Sequence, residues 1–220
     1  MPPLVLARWL AREWPRNRWA WLLGSAALLM GPLTWLASPI GITTDGLSSG
    51  FYIASIWFLS SYCGALVGLI ILCRAGRIWD ELTALAQTSL AWLVILALGM
   101  IHASLAVAPY CWLAEGASAN AWGGLLCISH WAALAAFLQR APLGFPARCI
   151  GLTLLGWWIP ALLAGAEGWQ RVAWILGPAR HLEVAGPPTD ISLGVLADTI
   201  PIVAWWVATA LLPTRSAFRR

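Results

Sequence analysis

Three ionisable side chains stand out because each falls inside an otherwise uncharged, apolar window: His102, His130 and Asp198. Such groups are costly in hydrocarbon and as a rule face a cavity or a polar partner. The windows holding His102 and His130 are consecutive and antiparallel, and both residues fall in the middle or outer half of the expected bilayer. Two facing imidazoles there could ligate haem or a metal. The plainer reading is a hydrogen bond between helices, the usual role of polar residues in such bundles. Asp198 lies towards the outer end of its window, within reach of the headgroup region.

Other chemistry is absent from the sequence. There is no GxxxxGK[ST] phosphate loop, no HExxH zinc motif and no GxSxG nucleophile elbow. Asp80 and Glu81 are adjacent, hence about 100° apart on a helix and unable to face one another. The cysteines, Cys63, Cys73, Cys111, Cys127 and Cys149, form no CxxC pair and no metal-ligand spacing. Four lie in apolar stretches, where cysteine behaves as a small packing residue; Cys111 is expected in an outer loop. No enzyme, no metal site and no bound cofactor are expected.

The elements that position these residues follow from composition. The 220-residue chain is 60% hydrophobic and only 10% charged, with a mean hydropathy of +0.77. A soluble domain carries about 25% charged residues, so a soluble enzyme, a disordered tail and a nucleic-acid binder are all excluded. The composition implies an all-α polytopic membrane protein. Uncharged windows divide it into six spans: Trp19 to Ser38, Phe51 to Cys73, about Ser89 to Pro109, Asn120 to Gln139, about Cys149 to Ala166, and about Leu193 to Leu212. Each covers most or all of about 30 Å of hydrocarbon at 1.5 Å per residue. The fifth contains Pro160 and the sixth Pro201.

Orientation follows from arginine, since the chain has no lysine. With the N-terminus inside, every arginine except Arg171 and Arg180 falls on the cytoplasmic side, as the positive-inside rule requires. Both termini are therefore expected to be cytoplasmic, in the plasma (inner) membrane. The net charge of +4 is topological and calls for no nucleic acid. Many of the tryptophans, Trp19, Trp21, Trp35, Trp112, Trp122, Trp205 and Trp206 among them, lie at span ends, where an indole suits the interface.

Three pieces are not spans. In the first, Leu4 to Pro15, Leu6, Trp9 and Leu10 share one helical face while Arg8 and Arg12 take another. Its interleaved arginines read as an interfacial helix meeting membrane lipids, and not as a cleaved signal. In the second, between spans two and three, Ile78, Leu82 and Leu85 recur at i, i+4, i+7. Asp80 and Glu81 lie near its start, at the positive end of the helix dipole. The third, about Glu167 to Ser192, opens with GWQRVAWILG. That run is too short to span and too apolar for a solvated loop, so it should lie in the outer interface or dip in as a re-entrant element.

In its order of elements the whole chain resembles the permease subunit of type-2 ABC exporters, a family that includes the haem-exporter-B permeases. LARWLAREWPRNRW is similar in type and place to the family's N-terminal elbow helix. GRIWDELTALAQTSL occupies the position of its cytoplasmic coupling helix, and GWQRVAWILGPARHL resembles its short outer helices. Where the family commonly has a Gly-Thr-Leu-Glu run, this chain has Gly76 to Glu81 as GRIWDE. The resemblance implies one transmembrane permease domain over 1–220: an elbow helix over 1–18, a six-span bundle over 19–213 and a basic cytoplasmic tail over 214–220. It implies a coupling surface at Ile78, Trp79, Asp80, Glu81, Leu82 and Leu85 for a cytoplasmic ATP-binding subunit. It further implies a second permease subunit, and a lipid-like, amphipathic or small exported cargo. ATP hydrolysis would belong to the partner. The alternative is a non-transporting anchor or assembly subunit using His102 and His130 to hold haem.

Overall fold

The computed structural model describes residues 3–18, 21–22, 25–26, 29, 46–73, 84–111, 121–183 and 193–212. Every regular element among these is helical. In chain order they are α1 (Pro3–Arg16), α2 (Gly46–Cys73), α3 (Ala84–Cys111), α4 (Ala121–Arg140), α5 (Phe145–Thr153), a π-turn (Leu154–Trp158), α6 (Ile159–Ala164), α7 (Gln170–Leu176), a 3-10 helix (Pro178–Glu183) and α8 (Leu193–Leu211). Two stretches, Trp122–Arg140 and Phe145–Ala164, are long and apolar enough to cross a membrane. Trp57–Cys73, Ser89–Ser104 and Asp198–Leu211 are shorter apolar helical stretches.

Five of the expected windows thus coincide with helices. The window 19–38 falls largely outside the described residues, as do the 214–220 tail and the segment 74–83 with Ile78, Trp79, Asp80, Glu81 and Leu82. Two expected boundaries move. Leu85, expected in a separate short helix, lies in the first turn of α3, and Cys111, expected in a loop, is the last residue of the same helix. The sequence between Ala84 and Ser89 contains neither glycine nor proline, so nothing interrupts the helix there.

Helix α4 is central. It is rich in alanine and leucine, and it packs against α2, α3, α8 and the 3-10 helix. Trp131, Ala132, Ala133, Leu134 and Ala135 are fully buried within it. The α5–α6 stretch is peripheral, with Ile150, Leu154, Trp158 and Leu162 facing outward. Pro160 lacks an N–H and would crowd a preceding carbonyl in a straight α-helix. The π-turn just before it shifts the register, so that the Ile159 N–H bonds Leu154 O, and the helix continues past the proline. The same turn brings Gly156 against the Trp131 ring, where no side chain would fit.

Trp131 is no interfacial tryptophan. Phe58 and Tyr62 of α2 pack on it at 5.4 and 5.1 Å between ring centroids. The same two rings meet Trp157 edge-on at 5.3 and 6.0 Å. These are packing distances for aromatic pairs. The Tyr62 hydroxyl is satisfied by Thr153 at 2.6 Å.

α1 forms as expected, with Arg8, Arg12 and Arg16 exposed and Trp9 packed against the bundle core. The backbone carbonyl of Pro15, near its end, accepts a hydrogen bond from the Trp21 indole at 2.8 Å.

α2 and α3 approach most closely through glycine. A Cβ on Gly64 would strike the backbone of Gly99, and one on Gly99 would strike Ile128 of α4. Small residues are what allow helix backbones to meet in apolar surroundings. Gly64→Val should therefore destabilise the bundle by about 1–3 kcal/mol, the usual cost of overpacking. Gly165→Ala is the control, because its Cβ would meet nothing nearer than 3.7 Å. Thermal unfolding in detergent should show a lowered midpoint for the first and an unchanged one for the second; equal midpoints would contradict the glycine contact.

Candidate functional site

Among the described residues, two clusters of buried polar side chains stand out. The first lies where α4, α8 and the 3-10 helix meet. His130 is ten residues into α4, about 14 Å along the axis from Ala121 at 1.5 Å per residue. Its Nδ1 is 3.0 Å from Nε2 of His181, and both side chains are 0% exposed. The neighbouring Arg180 donates from Nη2 to the Asp198 carboxylate of α8 at 2.7 Å. Consecutive residues of one short helix thus grip two different long helices.

Glycine makes this approach feasible. The His181 carbonyl occupies the space a Gly123 side chain would need, so the 3-10 helix lies directly on the α4 backbone. Gly124, one residue on, leaves room for the Trp57 ring of α2. Below, Gly177 rests against Pro160 of α6, and α7 packs along that helix. The apolar run GWQRVAWILG accordingly folds back onto the bundle, and the residues after it enter the interior.

Burial, and next the adjacent Arg180 guanidinium, push the His181 imidazole down to about 3. It is therefore neutral at physiological pH. Two neutral imidazoles sharing one hydrogen bond need one ring to donate and the other to accept. Either tautomer arrangement leaves one N–H and one lone pair at the far ends, His130 Nε2 and His181 Nδ1. Neither atom has a partner among the described residues. Among those residues, no group of three or more His, Cys, Asp or Glu side chains is placed to hold a metal ion.

The structure distributes the three sequence candidates as follows. His130 pairs with His181. His102 is buried in α3 and its Nδ1 bonds the Leu98 carbonyl of its own helix at 2.7 Å. Asp198, expected either to face a polar partner or to reach the headgroups, pairs with Arg180. His181 and Arg180 were not singled out by sequence reasoning, yet one signal pointed to the Arg180–Asp198 pair. Arg180 is one of only two arginines that the positive-inside reading assigns to the outer side, and Asp198 is the one acid inside an apolar window. A cation and an anion each out of place are natural partners.

The second place is the opposite end of the bundle. Arg148, expected on the cytoplasmic side, is only 2% exposed. Its Nη1 donates to Gln139 Oε1 at 3.0 Å and to the Cys73 sulfur at 3.3 Å, and its Nη2 donates to the Ala141 carbonyl at 3.2 Å. Arg140 is buried too, and its guanidinium caps the carbonyl of Leu212 at the end of α8. A cation suits a helix C-terminus. These two arginines tie together the ends of α2, α4, α5 and α8. The coupling-surface candidates are not gathered with either cluster: Leu85 is at the start of α3, and the other five lie outside the described residues.

No family model, no curated protein and no solved structure matches the chain.

Proposed function

We propose that the chain is the six-span permease subunit of an ABC exporter in the plasma membrane, with both termini cytoplasmic. A separate cytoplasmic ATPase drives it and it works beside a second permease subunit. The cargo is lipid-like, amphipathic or small. The observation that carries this reading is the order of elements around the apolar helices. A basic amphipathic helix, Pro3–Arg16, precedes the first apolar window. Two short helices, Gln170–Leu176 and Pro178–Glu183, fold back onto the bundle between the last two long ones. Leu85 at the start of unbroken α3 supports the mechanism: force applied to the coupling segment passes along a rigid helix into the bundle. The chain supplies the path and the docking surface; the partner supplies nucleotide binding and hydrolysis.

Two measurements test it. Reporter fusions at Ser48, Ala117 and Thr189 should all report an external position, with the termini internal; internal signals at two of the three would overturn the six-span arrangement. Tagged chain co-expressed with a candidate Walker-A ATPase and purified from membranes should retain that ATPase. Loss of the ATPase while the chain stays folded would contradict the exporter reading.

A further inference from the structure

We propose that the His130–His181 hydrogen bond and the Arg180–Asp198 ion pair form an acid-released clamp that holds the short α7–3-10 segment on the bundle. The clamp opens when the imidazole pair takes up a proton.

The segment is held by two adjacent residues on two sides. His181 reaches α4 at 3.0 Å and Arg180 reaches α8 at 2.7 Å. Among the described residues, the elements packed on them add few charges. Of the elements packed on the 3-10 helix, α2 and the π-turn carry no Asp, Glu, Lys, Arg or His at all. α4 presents His130, and its arginine, Arg140, is at the opposite end. Asp198 is the one charge of α8 and already bonds Arg180.

The bond between the rings exists only while one of the facing nitrogens is bare. A proton taken up at the far-end lone pair leaves one facing nitrogen bare and the bond in place. What it adds is a buried positive charge next to Arg180, with no second carboxylate from α8 to offset it. A buried unpaired charge is a severe cost, and the segment relieves it by lifting His181 towards water.

The direction with pH follows by linkage. His181 in the closed form sits at about 3, whereas a free imidazole titrates near about 6.5. The closed form is therefore fully favoured above about 6.5 and loses tenfold per pH unit from there down to about 3. Between pH 7.5 and 5.0 the open-to-closed ratio should rise about 30-fold from this one residue.

Amide hydrogen exchange of the chain in lipid nanodiscs reads that ratio directly, after correction for the intrinsic pH dependence of exchange. Both faces see the same pH, so the result depends neither on orientation nor on the proposed transport role. Protection of amides in 170–183 should fall about 30-fold from pH 7.5 to 5.0, while α4 keeps its protection. In His181→Gln, which cannot titrate there, the corrected protection of 170–183 should be flat with pH, whatever its level. A pH-independent wild type would overturn the clamp. So would an equal fall in His181→Gln, or an equal loss throughout α4.

Discussion

Aspartate at positions 82 and 85 is expected to strip the partner ATPase from the purified chain. In sequence Ile78, Leu82 and Leu85 recur at the i, i+4, i+7 spacing of a helical stripe, and in the proposed complex that stripe fills a cleft on the ATPase. Each leucine buried on docking contributes roughly 1.5–3 kcal/mol, and a carboxylate in its place adds a desolvation cost. With about 1.4 kcal/mol for each tenfold in affinity, the double substitution should weaken association by several orders of magnitude. The segment precedes the apolar part of α3, which begins at Ser89, so insertion and membrane level should be normal. Co-purification at equal membrane levels is the measurement. Undiminished ATPase recovery from Leu82→Asp/Leu85→Asp would leave the stripe an ordinary connection.

Breaking the Arg180–Asp198 pair from one side should have the largest effect on the fold itself. The Arg180 side chain is 7% exposed and that of Asp198 20%, so solvent screens the pair little. Removing one partner of a buried pair commonly costs about 3–5 kcal/mol, because the remaining charge stays buried without its counter-ion. Asp198→Leu is therefore expected to be strongly destabilising. Arg180→Met should cost less, since Asp198 is the more exposed partner and reaches water more easily. Replacing both, as Arg180→Met/Asp198→Leu, should recover most of the loss, because an apolar pair of similar volume avoids the desolvation of two ions. A double-mutant cycle on unfolding in nanodiscs measures the coupling. Additive losses, with the double variant worse than either single, would show that the two residues do not act as a pair.

The parts of this protein legible in its sequence are those fixed within one segment. Apolar windows between charges located the helices now seen at 46–73, 84–111, 121–140, 145–164 and 193–211, because burial acts on each stretch by itself. The alternation of arginine with apolar residues before Pro15 located α1, and its exposed Arg8 and Arg12 sit on the face expected of them. GWQRVAWILG was legible as a piece that neither spans nor floats free.

What the tertiary structure decided is which segments meet. The sequence put His130 opposite His102; the fold gave it His181, fifty-one residues away. Arg148 read as a charge on the cytoplasmic side, and the converging ends of α2, α4 and α5 buried it. Gly64, Gly99 and Gly123 looked like any other glycines until a neighbouring backbone or side chain filled the space each leaves. The reason is physical. A helix that is apolar on every side has no single face that its sequence commits to the interior. Its rotation and depth are set by contacts with other helices: a missing Cβ here, an ion pair there. Those contacts exist only once the helices have packed.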